Sequence, residues 1–202
     1  MHNALEIFKT NINNSREQSV LYDFLKSQVR APVPFDDLLR GQLVVAVAAF
    51  DKLMHDIIKI GMCQIFQGDR PPTPKYHCEN ISIQLHTDLV GATVPPKEHL
   101  FESAIVAKLR YMAFQHPNKI SDGLSLIWPE SNKWEKVGTK MGVQGHFAST
   151  QMKLIAMRRN AIVHESDMDP ITNQKTPICS LECKNMTDFI DSCGRVIVDL
   201  VA

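Results

Sequence analysis

The sequence predicts an all-α protein, and three observations carry that expectation. Apolar residues recur at helical spacing along most of the chain. No run shows the strict apolar–polar alternation of a half-buried strand. The prolines fall between the periodic segments rather than within them. At 202 residues the chain is long enough for one domain with a sizeable core. Residues 1–35 read as an N-terminal helix and linker. Residues 36–202 read as a bundle core of four main helices plus short accessory helices.

The first helix is expected over residues 3–29, with Leu5, Phe8, Ile12, Leu21, Phe24, Leu25 and Val29 as its apolar positions. The polar run Asn11 to Ser15 has low helix propensity and is expected to fray or bend it. Pro32 and Pro34 end it. Asp36 or Asp37 can cap the second helix, which runs to about Ile65 and is apolar nearly all round. Such a helix belongs at the centre of a bundle. Pro71, Pro72 and Pro74 mark a loop, and residues 79–90 a short helix. Pro95 and Pro96 open a third long helix to about Gln115, which Pro117 breaks. Ile120 to Trp128 and Lys133 to Met141 read as short helices, with Trp128 and Trp134 in the core. A helix from about Phe147 to His164 follows. Asp167 to Pro177 is a loop, and the last helix covers about Thr187 to Val201.

Composition narrows the function classes. Hydrophobic residues make up 44% and charged residues 22%, with 22 acidic against 22 basic side chains. A strongly basic footprint for nucleic acid is therefore missing, and any RNA contact must be focused. The longest apolar stretch, Leu43 to Phe50, is too short to span a bilayer. Met1 to Lys9 lacks the apolar segment of a secretory signal. Five loosely spaced cysteines, Cys63, Cys78, Cys179, Cys183 and Cys193, read as free thiols in a reducing compartment, so a cytoplasmic location is expected. Cys179 and Cys183 with His77 and Cys78 do not have zinc-finger spacing. No cofactor or metal is expected, and Gly138, Gly142 and Gly145 do not form a phosphate-binding loop.

Two constellations carry candidate chemistry. On the second helix, Arg40, Val44, Val47, Asp51, His55 and Ile58 share one stripe at 100° per residue. Asp51 and His55 are i, i+4 neighbours, so the carboxylate can orient the imidazole. Three polar groups on a buried stripe need partners, because an unpaired buried charge costs several kcal/mol. They form either a satisfied structural pair near the helix's wet end or part of a site.

The second constellation is Arg158-Arg159-Asn160-Ala161-Ile162-Val163-His164-Glu165-Ser166-Asp167. Arg159 lies on the apolar stripe of Met152, Ile155 and Ile162, where it must find an anion or a cleft. Asn160 and His164 are i, i+4 neighbours on the adjoining face. Arg159 and His164 stand about 140° apart around the helix, a gap that the long arginine stem can bridge. Such a set suits phosphodiester cleavage. A guanidinium binds phosphate bidentately and stabilises developing charge. A histidine takes a proton from a ribose 2′-hydroxyl or gives one to the leaving oxygen. The bland alternative is an ordinary helix C-terminus. There His164 is favoured by the macrodipole, and Glu165 and Asp167 form surface ion pairs with Arg158 or Arg159.

The segment Arg158 to Asp167 resembles the signature of HEPN domains, an arginine and a histidine with four to six residues between them and a polar residue after the arginine. More narrowly it resembles the RiboL-PSP-HEPN branch, as do Leu39 to Asp56 and Phe114 to Ile120. The likeness covers most of residues 38–200. It implies a four-helix-based bundle, usually a homodimer whose arginine and histidine motifs meet in a cleft. Many such proteins are metal-independent endoribonucleases of toxin–antitoxin or anti-phage defence systems, with an antitoxin or other defence protein as partner. On that likeness Arg159 binds the scissile phosphate, His164 is general acid or base, and Asn160 supports both. Arg40, Asp51, His55, Arg158, Glu165 and Asp167 line or hold the cleft. The alternative, which the balanced charge favours slightly, is an inactive HEPN module that dimerises and binds a partner protein or nucleotide.

Overall fold

The structure, a computed structural model, describes residues 1–30 and 33–202. Among these it contains nine helices and no strand, only an isolated bridge between Met168 and Lys175. They are α1 (His2–Gln28), α2 (Asp36–Gln67), α3 (Pro74–His77), α4 (Ile83–Gly91), α5 (Lys97–Leu109), α6 (Pro117–Leu124), α7 (Lys133–Met141), α8 (Gly145–His164) and α9 (Ser180–Val201). The chain is all-α, as its periodicity predicts. No helix among the described residues is long and apolar enough to cross a membrane.

Helix α2 is the axis of the fold. It packs against α1, α5, α6, α8 and α9, and its buried residues, among them Leu43, Phe50, Met54, Ile57 and Ile58, point in several directions. An all-round apolar helix recovers its burial energy only when helices surround it, at roughly 1.5–3 kcal/mol for each large side chain removed from water. One core cluster joins Phe8 and Ile12 of α1, the α2 set, Phe101 of α5, Phe114, Ile120 of α6, Val137 of α7, Met152 of α8 and Ile197 of α9. Trp128 and Trp134 are partly buried against it. A smaller cluster of Tyr22, Leu39, Ile178 and Cys183 closes one end.

Several boundaries differ from expectation, each for a physical reason. The Asn11 to Ser15 run neither frays nor bends: α1 continues through it, with Ser15 buried and its hydroxyl donating to the Ile12 carbonyl (2.7 Å). Leu21, Phe24 and Val29 are exposed and the buried residue there is Tyr22. Pro32, expected to help end α1, lies outside the described residues. Phe35, not an aspartate, occupies the cap of α2. Asp36 and Asp37 sit in its first turn, where the helix dipole favours negative charge. The proline-rich stretch after α2 contains the short helix α3, with Pro74 in its first turn and the Thr73 hydroxyl capping Tyr76 N–H. Helix α5 stops at Leu109, six residues early, and Pro117 starts α6 rather than only ending its predecessor. Helix α9 begins at Ser180, two turns before the expected Thr187. Its added turns are held by Cys183, which is buried in the smaller cluster with its thiol 3.6 Å from the Leu39 carbonyl.

Gly61 marks the closest approach in the core. A Cβ there would stand 2.6 Å from Ile127 Cγ2 and 2.8 Å from Ile127 Cβ. Helix propensity alone favours Gly61→Ala by about 1 kcal/mol. Overpacking against a buried β-branched residue costs about 1–3 kcal/mol, so packing wins. Gly61→Ala is expected to lower the urea midpoint by the equivalent of about 1 kcal/mol. An unchanged or raised midpoint would show that the 125–128 turn yields freely.

Candidate functional site

The second constellation occupies the end of α8, and the two adjacent arginines there have different surroundings. Arg158 turns toward the loop that follows the helix. Its Nη1 donates to Asp167 Oδ1 (2.6 Å), and its Nη2 donates to the carbonyls of Pro177 (3.1 Å) and Thr176 (3.3 Å). The other oxygen of Asp167 accepts from Arg40 Nε (2.6 Å), while Arg40 Nη2 donates to the Thr176 carbonyl (2.8 Å). Burial alone would push the Arg40 guanidinium down, but its bonds to Asp167 and Asp37 hold it above its ordinary value. Asp167 is 1% exposed and Arg40 6%. The expected surface ion pair of Asp167 is therefore a buried clamp between α2, α8 and the 165–179 loop. The Asp167 N–H also donates to the Ala161 carbonyl (2.9 Å), tying the loop back to the last turn of α8.

Arg159 meets no carboxylate among the described residues. Its Nη1 donates to Asn160 Oδ1 (3.0 Å), and its Nε is buried without a hydrogen-bond partner. Asn160, His164 and Glu165 are exposed, with Glu165 just beyond the helix end. Arg159 and Asn160 are thus brought together, and His164 stands one turn further along and makes no side-chain hydrogen bond among the described residues.

Asp51 and His55 lie about three and four turns from Arg40 along α2 and serve a different segment. Asp51 Oδ1 accepts the Phe114 N–H (2.5 Å), and His55 Nε2 donates to the Met112 carbonyl (3.1 Å). The imidazole packs edge-on against the Phe114 ring, with centroids 4.9 Å apart. Asp51 Oδ2 is 3.8 Å from His55 Nε2. The polar stripe on α2 is thereby satisfied at both ends, and Asp51 and His55 fix the 110–116 segment rather than reach Arg159.

That fixed segment faces α8 across a groove of about 360 Å³. Tyr111 to His116 form one wall, Lys119 of α6 the end, and Ala156, Met157 and Asn160 the other wall. Tyr111 was not legible as a site residue, because helical periodicity carries α5 through it, and His116 and Lys119 fall in the Phe114 to Ile120 segment of the likeness without a role assigned there. The available signal was Pro117, which biases His116 toward the extended backbone it adopts (φ −83°, ψ 138°).

Two of the five thiols are unsuited to nucleophilic chemistry. Burial pushes the Cys183 and Cys193 thiols up to about 12, which leaves no thiolate at neutral pH. The Cys179 and Cys183 pair does not meet His77 and Cys78, and no cluster of three or more His, Cys, Asp or Glu with metal-binding geometry occurs among the described residues. No family model matches the chain, and neither a curated protein nor a solved structure matches it.

Proposed function

We propose that the chain is a HEPN-type bundle that cleaves RNA internally without a metal, acting in the cytoplasm as part of a toxin–antitoxin or anti-phage defence system. The observation that carries this reading is the contrast between the two arginines at the end of α8. Arg158 is consumed by the Asp167 clamp, whereas Arg159 pairs with no carboxylate among the described residues and hydrogen-bonds there only to Asn160. A guanidinium so placed is available to a phosphate.

In the proposed reaction Arg159 holds the scissile phosphate and Asn160 fixes the guanidinium. The 2′-oxygen forms a bond to phosphorus while the bond to the 5′-oxygen breaks. His164 accepts the proton of the 2′-hydroxyl or supplies the proton that the leaving 5′-oxygen takes up. A homodimer belongs to this reading, because a second His164 provides the other proton-transfer group. Supporting it, Phe147, Leu154, Met157 and Val163 are exposed along the length of α8, and Leu181 at the start of α9, apolar side chains that a second copy can cover.

The test is cleavage of total tRNA and of a mixed-sequence single-stranded RNA in EDTA, with the ends of the products analysed. The expected ends are a 2′,3′-cyclic phosphate and a 5′-hydroxyl, with cleavage lost in Arg159→Ala. Products carrying a 5′-phosphate, or undiminished cleavage by Arg159→Ala, would overturn the proposal.

A further inference from the structure

The groove beside Asn160 is lined by residues 111–116, Lys119 and α8. Its loop wall is irregular backbone, yet it is fixed at three points by α2: the Phe114 N–H on Asp51, the Met112 carbonyl on His55, and the buried Phe114 ring against that imidazole. Holding a loop this firmly from the central helix costs two partly desolvated polar groups, and the result is a preformed surface opposite the signature helix. Beside the apolar Met112, Ala113 and Met157, the groove presents Tyr111, His116 and Lys119. Tyr111 is 88% exposed, and among the described residues neither its hydroxyl nor the Lys119 ammonium has a hydrogen-bond or ion-pair partner. His116 accepts the Asn118 N–H at Nδ1 (3.3 Å), which leaves Nε2 as the protonated donor. An aromatic face, an imidazole N–H and a free ammonium along one groove match a base and a phosphate.

We infer that this groove seats a nucleotide of single-stranded RNA next to the phosphate held at Arg159, with Tyr111 stacking on the base and His116 and Lys119 contacting a neighbouring phosphate. Asn160 joins the two, since it lines the groove and bonds Arg159. The groove's 360 Å³ falls within the roughly 300–1,000 Å³ of small-ligand sites. A focused site of this kind also accounts for RNA recognition by a chain with balanced charge. This inference rests on the ribonuclease reading.

The experiment is binding of a fluorescent 2′-O-methyl oligonucleotide, which cannot be cleaved, to the intact protein over a range of salt concentrations, beside cleavage of the matching RNA. Tyr111→Ala is expected to weaken binding about tenfold, as loss of one stacked base does. Lys119→Ala is expected to reduce the salt slope by about 0.7. Both side chains are exposed, so thermal unfolding of each variant should match wild type and separate binding from folding. Wild-type affinity and slope in both variants, with RNA still cleaved, would sink the groove and leave the ribonuclease reading standing. Weakened binding in the variants without any wild-type cleavage would support the groove and remove the catalytic reading. If folded wild type neither binds nor cleaves, both fall.

Discussion

Asp167→Ala is expected to destabilise the protein by about 3–5 kcal/mol, the range for breaking a buried ion pair from one side. The carboxylate is 1% exposed and holds two guanidinium groups, each at 2.6 Å. Removing it leaves Arg40 buried beside only the Asp37 carboxylate (3.1 Å), which is itself largely exposed, and leaves Arg158 with carbonyls alone. The backbone adds to the loss. Ser166 and Asp167 both have positive φ, at 54° and 57°. An alanine in that left-handed region costs roughly 1–2 kcal/mol. For a chain of this size the loss corresponds to a fall in Tm on the order of 10 °C. The carboxylate and the backbone can be separated, because Asp167→Asn tolerates the left-handed conformation yet removes the charge. It should therefore show most of the effect of Asp167→Ala. A further check replaces the charges together: Arg40→Met with Asp167→Leu and Arg158→Met should recover part of the stability, since the cost lies in the orphaned charges. Urea unfolding of these variants decides it, and a midpoint for Asp167→Ala equal to wild type would show that the clamp contributes nothing.

The clamp was the part of the site least legible in the sequence. Asp167 follows a helix end and precedes a polar loop, a context that reads as surface. What buries it is the return of Thr176 and Pro177 over the same spot, and Arg40 arriving from a helix 127 residues away in sequence. Periodicity does not encode such contacts. Local signals did place what depends on local chemistry. The all-round apolar character of residues 38–65 gave the central helix, and Trp134 and Val137 fell inside a short helix predicted at Lys133 to Met141. The failures occurred where tertiary bonds overrode propensity. Helix α5 closes in a tight turn, Met112 N–H bonding the Leu109 carbonyl, and Asp51 takes the Phe114 N–H beyond it, while α9 starts early because Cys183 gains burial against Leu39 and Tyr22. The expectation for Asp51 and His55 left a structural pair and a site role open. The geometry gives both a supporting position, because the segment they fix is the wall of the groove that contains Asn160.

His164→Ala is expected to have the opposite profile to Asp167→Ala, although the two residues are three apart. His164 ends α8, is exposed, and makes no hydrogen bond among the described residues. Its contribution to the fold is limited to the favourable placement of a cation in a helix's last turn, under about 1 kcal/mol at an exposed site. Tm should therefore stay within about 3 °C of wild type. Cleavage should fall by about 10²–10⁴-fold, the range for losing one positioned proton-transfer group. If Arg159 and His164 act on one phosphate, their losses are not additive, and Arg159→Ala combined with His164→Ala should be little slower than the worse single variant. Arg159→Lys distinguishes charge from geometry. An ammonium keeps the charge but not the planar fork, so most of the activity should be lost and the oligonucleotide affinity largely kept. A folded His164→Ala protein that cleaved RNA as fast as wild type would move the proton transfer elsewhere. His116 is the imidazole to test next, because it lines the groove that reaches Asn160.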